Sequence, residues 1–131
     1  MRELEILTKD NAISVNKENG TSVDYFLFDE YEIHLNKIRP HTKQEWHRHK
    51  EIEEVLVVTK GELLIKWLED DIEKNEVLKK GMIVRVKKSI HTLENITEEI
   101  SEFIVYRMIL TGKNNREIIK NDKVLIETGQ V

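Results

Sequence analysis

The sequence predicts an all-β fold, either a β-sandwich or a small barrel. Short runs rich in Val, Ile, Leu, Tyr and Phe recur along the whole chain, and turn-forming clusters separate them. Apart from one short polar segment, no stretch has the 3.6-residue periodicity of an amphipathic helix. Many short strands without long helices are typical of packed or closed antiparallel sheets.

The strands are placed between turn signals, which are pairs containing Gly, Pro, Asn or Asp, such as Asn19-Gly20, Lys60-Gly61 and Lys80-Gly81. The segment 94–102 is polar enough to form one or two helical turns instead. A late hairpin is expected around Asn121-Asp122. The predicted strands are 23–28, 31–39, 44–49, 54–59, 62–68, 72–78, 82–87, 91–96, 102–111, 116–120 and 123–127.

Length and composition narrow the class of protein. The 131 residues suit one domain, 1–131, with no linker-like stretch inside it. The net charge of −4 and the scattered Lys and Arg residues argue against a nucleic-acid partner. No apolar run approaches the roughly 20 residues that span a bilayer, so no membrane partner is expected. There is no cysteine, hence no disulfide or thiolate ligand, and the cytoplasm is the expected location.

Two of the five histidines, His47 and His49, stand one residue apart in a polar stretch. In a strand, residues i and i+2 project to the same side, so both imidazoles can reach one point. Inside a barrel their nitrogens need partners, and a divalent metal supplies one. On its own, such a pair on a polar edge strand is more often solvated than bound to a metal.

A carboxylate is expected beside these histidines. If Lys60-Gly61 is a two-residue hairpin turn, Thr59 lies opposite Glu62 and Glu54 lies opposite Trp67. Glu54 then points inward and Glu53 outward. A turn shifted by one residue would exchange the two carboxylates. Because the spacing from His49 to Glu54 is odd, a loop or bulge through residues 50–52 must restore the facing.

A third histidine, His91, belongs to a later strand. Alternation places His91, Leu93 and Asn95 on one face, and an inward Leu93 makes His91 inward as well. Taken alone, it is equally consistent with a core histidine bonded to a backbone carbonyl. Together with the earlier cluster, it makes a metal site possible.

These residues form a pattern that resembles the cupin superfamily. His47-x-His49-x4-Glu54-x6-Gly61 is similar to the first cupin motif, and Gly81 followed by His91-x3-Asn95 is similar to the second. The likeness covers residues 40–106. It implies a cupin jelly-roll barrel over roughly 31–111, a homodimer, and one divalent metal held by His47, His49, Glu54 and His91.

The implied function is that of a metal-binding small-molecule cupin, an isomerase or oxygenase acting on a small polar substrate. A set of imidazoles and one carboxylate suits Fe, Mn, Zn, Ni or Cu. Two alternatives remain open. One is a non-catalytic ligand-binding or sensing cupin. The other is a metal-free enzyme similar to nucleotide-sugar epimerases or ketoisomerases, with a histidine as the general base.

The sequence assigns no catalytic residue. Alternation from Phe103 and Val105 sends Arg107 inward, where it would bind a substrate carboxylate or phosphate, or instead lie at a strand end in solvent. Trp46 and Trp67 flank the expected ligands and suit core packing equally well. Surface or packing roles are expected for the remaining candidates, Arg85, His34 and His41.

Overall fold

The structure is a computed structural model that describes residues 3–126. Within this range the chain forms strands, a short 3-10 helix at Lys9–Asn11 and one α-helix. The elements are β1 (Ile13–Asn16), β2 (Thr21–Leu27), β3 (Tyr31–Ile38), β4 (Thr42–Lys43), β5 (Ile52–Lys60), β6 (Glu62–Glu69), β7 (Ile72–Lys79), β8 (Ile83–Arg85), β9 (His91–Asn95), β10 (Ser101–Ile109) and α1 (Arg116–Asn121).

The strands form two antiparallel sheets. The larger sheet has six strands in the order β1-β2-β3-β10-β5-β8, and the smaller has four in the order β4-β9-β6-β7. Neighbours such as β3 and β10 are far apart in sequence, as in a jelly roll. The prediction of an all-β jelly roll is therefore confirmed.

A hydrophobic core lies between the two sheets. Each contributes every second side chain, as the two-residue period of a strand requires. From the larger sheet come Ile38, Leu56, Val58, Phe103 and Val105, all 6% exposed or less. The smaller sheet adds Leu63, Ile65, Leu78 and Leu93, and Val86 completes the cluster. These packed residues hold the inner faces of β5, β9 and β10 in fixed positions.

The connection between β5 and β6 differs from the predicted hairpin. The two strands belong to different sheets, so the predicted cross-strand pairs, such as Thr59 with Glu62, do not form. Lys60-Gly61 instead carries the chain from one sheet to the other. The predicted inward facing of Leu56, Val58, Leu63 and Ile65 is nevertheless correct, because alternation acts within each strand.

The predicted strand at 44–49 is wrong. Regular pairing stops at Lys43, and beyond it only His47 forms an isolated bridge, with His91. Residues 50–51 bend before β5 begins at Ile52, which is where a change of facing was expected. Because β4 ends at Lys43, His47 and His49 lie in a loosely paired loop and not in a strand. Strand β1, whose side chains are all exposed, pairs with β2 and was not among the predicted strands.

The segment 94–102 contains no helical turn. Strand β9 continues to Asn95, and a bend follows before β10. The fully buried Asn95 amide explains this. It donates to the carbonyls of Ile38 and Glu99, at 2.9 and 2.7 Å, and its oxygen accepts from the Thr97 backbone N–H. Asn95 thus pairs the Thr97 N–H and the Glu99 carbonyl, two loop backbone groups that a helix would have paired internally.

The late hairpin predicted at Asn121-Asp122 is also wrong. Residues Arg116–Asn121 form the single helix α1, and residues 122–126 have no regular structure. Residue 127, the end of the last predicted strand, lies outside the described residues. An isolated hairpin needs a sheet to pack against, and this segment is exposed throughout. In the described part of the chain, no helix has the length and apolar character needed to cross a membrane.

Candidate metal centre

The structure brings His47, His49, Glu54 and His91 together at the inner face of the barrel. One potential ligand atom from each lies within 4.8 Å of every other. They come from three places: the loop after β4, strand β5 and strand β9. Two mutual backbone hydrogen bonds of 2.9 Å hold His47 against His91. The ring centres of the three histidines are 4.4 to 5.5 Å apart.

Two of the imidazoles are oriented by backbone carbonyls. His47 Nδ1 donates to the carbonyl of Glu45 at 3.0 Å, and His91 Nδ1 donates to that of Ser89 at 3.0 Å. A proton on Nδ1 leaves Nε2 as the free lone pair of each ring. Metal-binding histidines use this same arrangement to fix tautomer and ring direction. The cluster could therefore hold a divalent cation.

Glu54 connects the cluster to an arginine. Its Oε2 accepts a 2.7 Å hydrogen bond from His49 Nε2 and lies 4.0 Å from His91 Nε2. Its other oxygen, Oε1, lies 3.5 Å from Arg107 Nε. The carboxylate thus presents one oxygen to the imidazoles and one to a guanidinium.

Burial decides the charge of His91. Its side chain is 2% exposed, and desolvation lowers its pKa below the ordinary value, although the bond to the Ser89 carbonyl opposes the shift. The positive charge of a protonated His47 would lower this pKa further. The lowered pKa favours the neutral imidazole, which is the form that binds a metal.

The two neighbouring carboxylates lie on opposite faces of β5. Glu54 is in the cluster, whereas Glu53 is bound to Arg85 by a 2.7 Å ion pair on the other side of the sheet. The outward direction of Glu53 was predicted, but the prediction missed its burial. Arg85 covers this carboxylate, leaving it 8% exposed.

A cavity of about 260 Å³ opens above the four residues. Its apolar walls include Leu56, Leu93 and Phe103, and its polar lining includes Asn36, Gln44, Lys17 and Arg107. Arg107 lies inward, as alternation along β10 predicted. The arrangement combines a possible cation site with a small pocket that mixes apolar and polar surface.

His34 lines the same cavity, although the sequence analysis gave it a surface or packing role. It is 7% exposed, its Nε2–H donates to Glu32 at 2.9 Å, and it packs edge-on against Tyr25. Burial lowers its pKa, and the bond to Glu32 opposes that shift. Alternation from the buried Ile38 would have placed His34 inward, but the sequence did not show that β3 borders the pocket.

The remaining candidates do not belong to the four-residue cluster. His41 is exposed and paired with Glu98, and Arg85 is on the outer face. Trp46 is 42% exposed. Trp67 pairs with His91 across the strands and packs against the core, while its indole N–H donates to Glu69.

No family model matches this sequence, and no curated protein matches it. Solved structures do resemble the fold. The Drosophila melanogaster CENP-C cupin domain superposes with a TM-score of 0.68 at 17% identity, covering 78% of this chain and 79% of its own. A structure of Drosophila melanogaster CENP-C bound to CAL1 gives a TM-score of 0.66 at 18% identity, covering 73% of this chain and 76% of that one.

An oxalate oxidase is a third structural neighbour. It gives a TM-score of 0.65 at 18% identity, with 79% of this chain covered. This chain spans 59% of the oxalate oxidase chain. Together these neighbours establish that the chain has the cupin fold, as its motifs indicated.

Proposed function

We propose that this chain, which has the cupin fold, is a metal-dependent enzyme of the isomerase or oxygenase type acting on a small polar molecule. The observation that carries the proposal is the convergence of four donor atoms within 4.8 Å of one another. His47, His49 and His91 would each supply one nitrogen, and Glu54 would supply one oxygen.

The donor set fits a divalent transition metal. Three imidazoles and one carboxylate match the borderline preferences of Fe, Mn, Zn, Ni and Cu. The 2.7 Å separation between His49 Nε2 and Glu54 Oε2 brings two donors close to one point, where a cation would replace the shared proton. Backbone carbonyls already orient His47 and His91.

Four protein ligands leave an open site on a metal that prefers six ligands. Such a metal would have two positions for water or substrate, and all four residues line the cavity. When bound, the metal would supply Lewis-acid polarisation, an activated water or oxygen chemistry. The chain's own residues would exclude bulk water through Leu56, Leu93 and Phe103 and orient the substrate through Arg107 and Gln44.

Elemental analysis of protein purified without a metal-affinity tag tests the proposal. About one equivalent of a transition metal per chain is expected, together with loss of that metal on dialysis against a chelator. A protein that neither retains a metal nor binds Fe, Mn, Zn, Ni or Cu would contradict it. That result would favour the metal-free alternative, in which a histidine acts as base.

A second candidate is a non-catalytic recognition module. It is favoured by the structural similarity to CENP-C, which has been solved bound to CAL1. Incubation of the metal-loaded protein with panels of sugar phosphates, hydroxy acids and keto acids separates the two candidates. Turnover supports the enzyme, whereas binding without turnover supports the recognition module.

We also propose that the chain forms a homodimer through the outer face of the larger sheet. Leu35 and Ile83 lie on this face, 40% and 66% exposed, beside the half-buried Ile33, Val57 and Ile104. An apolar sheet face of this kind needs a covering layer. Light scattering should give twice the mass of one chain, and Leu35→Glu with Ile83→Glu should give the monomer mass. A monomeric wild-type protein would overturn this.

A further inference from the structure

We infer that the ligand of this pocket is a small carboxylate, held between the cation site and the guanidinium of Arg107. The inference rests on the proposed function and specifies its substrate class. It is carried by the position of Arg107, by the charge of the cavity lining and by the cavity's size.

Arg107 has hydrogen-bond donors to spare. Its Nε lies 3.5 Å from Glu54 Oε1 and its Nη1 lies 3.6 Å from Glu32 Oε1. Both separations exceed the usual 2.7–3.2 Å or so of an N–H···O bond. Within residues 3–126, the buried Nε has no hydrogen-bond partner. A buried donor without an acceptor is destabilising, and a ligand oxygen would satisfy it.

The lining favours an anion once a divalent cation is bound. Arg107 and Lys17 are cationic, and Glu45 and Glu54 are anionic. A dication therefore leaves the cavity with a net positive charge, even when Glu32 beside Arg107 is counted. A negatively charged ligand would neutralise it, and the low dielectric of a partly apolar pocket strengthens that attraction.

The size of the cavity suits a small anion. Its volume of about 260 Å³ is below the range of roughly 300–1,000 Å³ of drug-sized pockets. A planar guanidinium fork matches the planar fork of a carboxylate, and a carboxylate oxygen can also bind a divalent transition metal. The apolar wall of Val23, Val105 and Phe103 leaves room for a short hydrocarbon portion.

A competing explanation is that Arg107 only orients Glu54. The two roles predict different results when arginine is replaced. If Arg107 only supports Glu54, then Arg107→Met lowers metal affinity and leaves ligand binding unchanged at saturating metal. If Arg107 binds the ligand, the variant keeps its metal and loses the ligand.

The test measures malonate, glycolate, acetamide and inorganic phosphate binding by titration calorimetry at saturating Mn²⁺, with metal content determined in parallel. The wild-type protein should bind malonate or glycolate and not acetamide. Arg107→Met should hold Mn²⁺ within about threefold of wild type and bind the carboxylate roughly 10- to 100-fold more weakly. Arg107→Lys keeps the charge without the fork and should give an intermediate loss.

Arg85→Met is the matched control, since Arg85 also pairs with a glutamate of β5 but on the outer face. Its carboxylate binding should equal wild type. Equal losses in Arg107→Met and Arg85→Met, or tighter binding of phosphate or acetamide than of either carboxylate, would overturn the inference. Metal binding without carboxylate binding would also overturn it and leave the proposed function standing. Failure of metal binding would overturn the proposed function, and Arg107-dependent carboxylate binding in the metal-free protein would then retain only the assignment of the carboxylate to Arg107.

Discussion

The side chains of His49 and Glu54 are joined by a hydrogen bond of 2.7 Å, with His49 in the loop before β5 and Glu54 within that strand. Both are nearly buried, at 11% and 12% exposure. The carboxylate accepts, so His49 Nε2 carries the proton in the metal-free protein. A cation that binds both atoms must displace it.

Metal binding should therefore move this proton to Nδ1 of the same ring, since a neutral imidazole binds a metal through one nitrogen and keeps its proton on the other. Long-range ¹H–¹⁵N NMR spectra should show His49 changing from the Nε2–H to the Nδ1–H tautomer when Zn²⁺ is added. A His49 ring that keeps its proton on Nε2 in the metal-bound protein would show that this nitrogen is not a ligand.

Replacing the carboxylate should remove the metal while the fold is retained. Glu54→Gln keeps the shape of the side chain and its bond to His49 but loses the negative charge, so metal affinity should fall at least tenfold. Glu53→Gln is the matched control, because Glu53 is adjacent in sequence and lies on the opposite face. Metal affinity, measured by competition with a chelator, should not change in the control. Equal losses in both variants would contradict the assignment.

His47→Ala should abolish metal-dependent stabilisation. A metal at 100 times its Kd stabilises the folded state by about 2.7 kcal/mol, which is visible as a rise in Tm. The variant should unfold at the same temperature with and without metal. His41→Ala removes an exposed histidine paired only with Glu98, and its Tm should still respond to metal. A metal-dependent rise in Tm for His47→Ala would show that His47 is not a ligand.

Gly61 should tolerate a side chain less well than Gly81. Both have positive φ angles, +72° and +90°, but a Cβ at Gly61 would meet Ser101 Oγ at 2.6 Å, whereas Gly81 has nothing within 4 Å. Backbone strain alone makes alanine cost about 1 kcal/mol at either position. Steric conflict should raise the cost at Gly61 to roughly 2–3 kcal/mol. Urea unfolding of the two alanine variants measures the difference, and equal losses would exclude the steric contribution.

Acid should destabilise the metal-free protein through His34. Burial lowers the folded-state pKa of His34 below the ordinary 6.5, so the unfolded state binds a proton more readily. The contribution of neutral His34 to the free energy of unfolding is complete above pH 6.5, and it is lost as the pH falls through the folded-state pKa. His34→Gln should flatten this part of the stability–pH curve, and NMR titration should place the folded pKa below 6.5. A folded pKa above 6.5 would contradict the prediction.

Local pattern was enough to predict the facing of many residues. The two-residue period sent Leu56, Val58 and Phe103 inward, and it did the same for Arg107. Motif spacing selected His47, His49, Glu54 and His91, and the structure places all four together. The predicted facings are correct because strand alternation depends only on neighbouring residues.

Pairing between distant strands was not predictable in the same way. A hairpin at Lys60-Gly61 would make β6 the partner of β5, but β5 lies between β10 and β8 and β6 belongs to the other sheet. The helix at Arg116–Asn121 was not predicted for a related reason. The local sequence does not show whether a neighbouring strand is available for pairing there.

The amino-acid pattern alone was sufficient to predict an all-β chain, and the likeness of its motifs to those of cupins was sufficient to select the four residues His47, His49, Glu54 and His91 that the structure brings together. Neither could show that His34 and Arg107 border the same cavity, or that Arg107 stands between Glu32 and Glu54; these relationships exist only in the folded chain. The physical reason is that β3, β5 and β10 become neighbours through long-range backbone pairing. That pairing is stabilised by burial of the whole core, so it cannot be predicted from any short stretch of sequence.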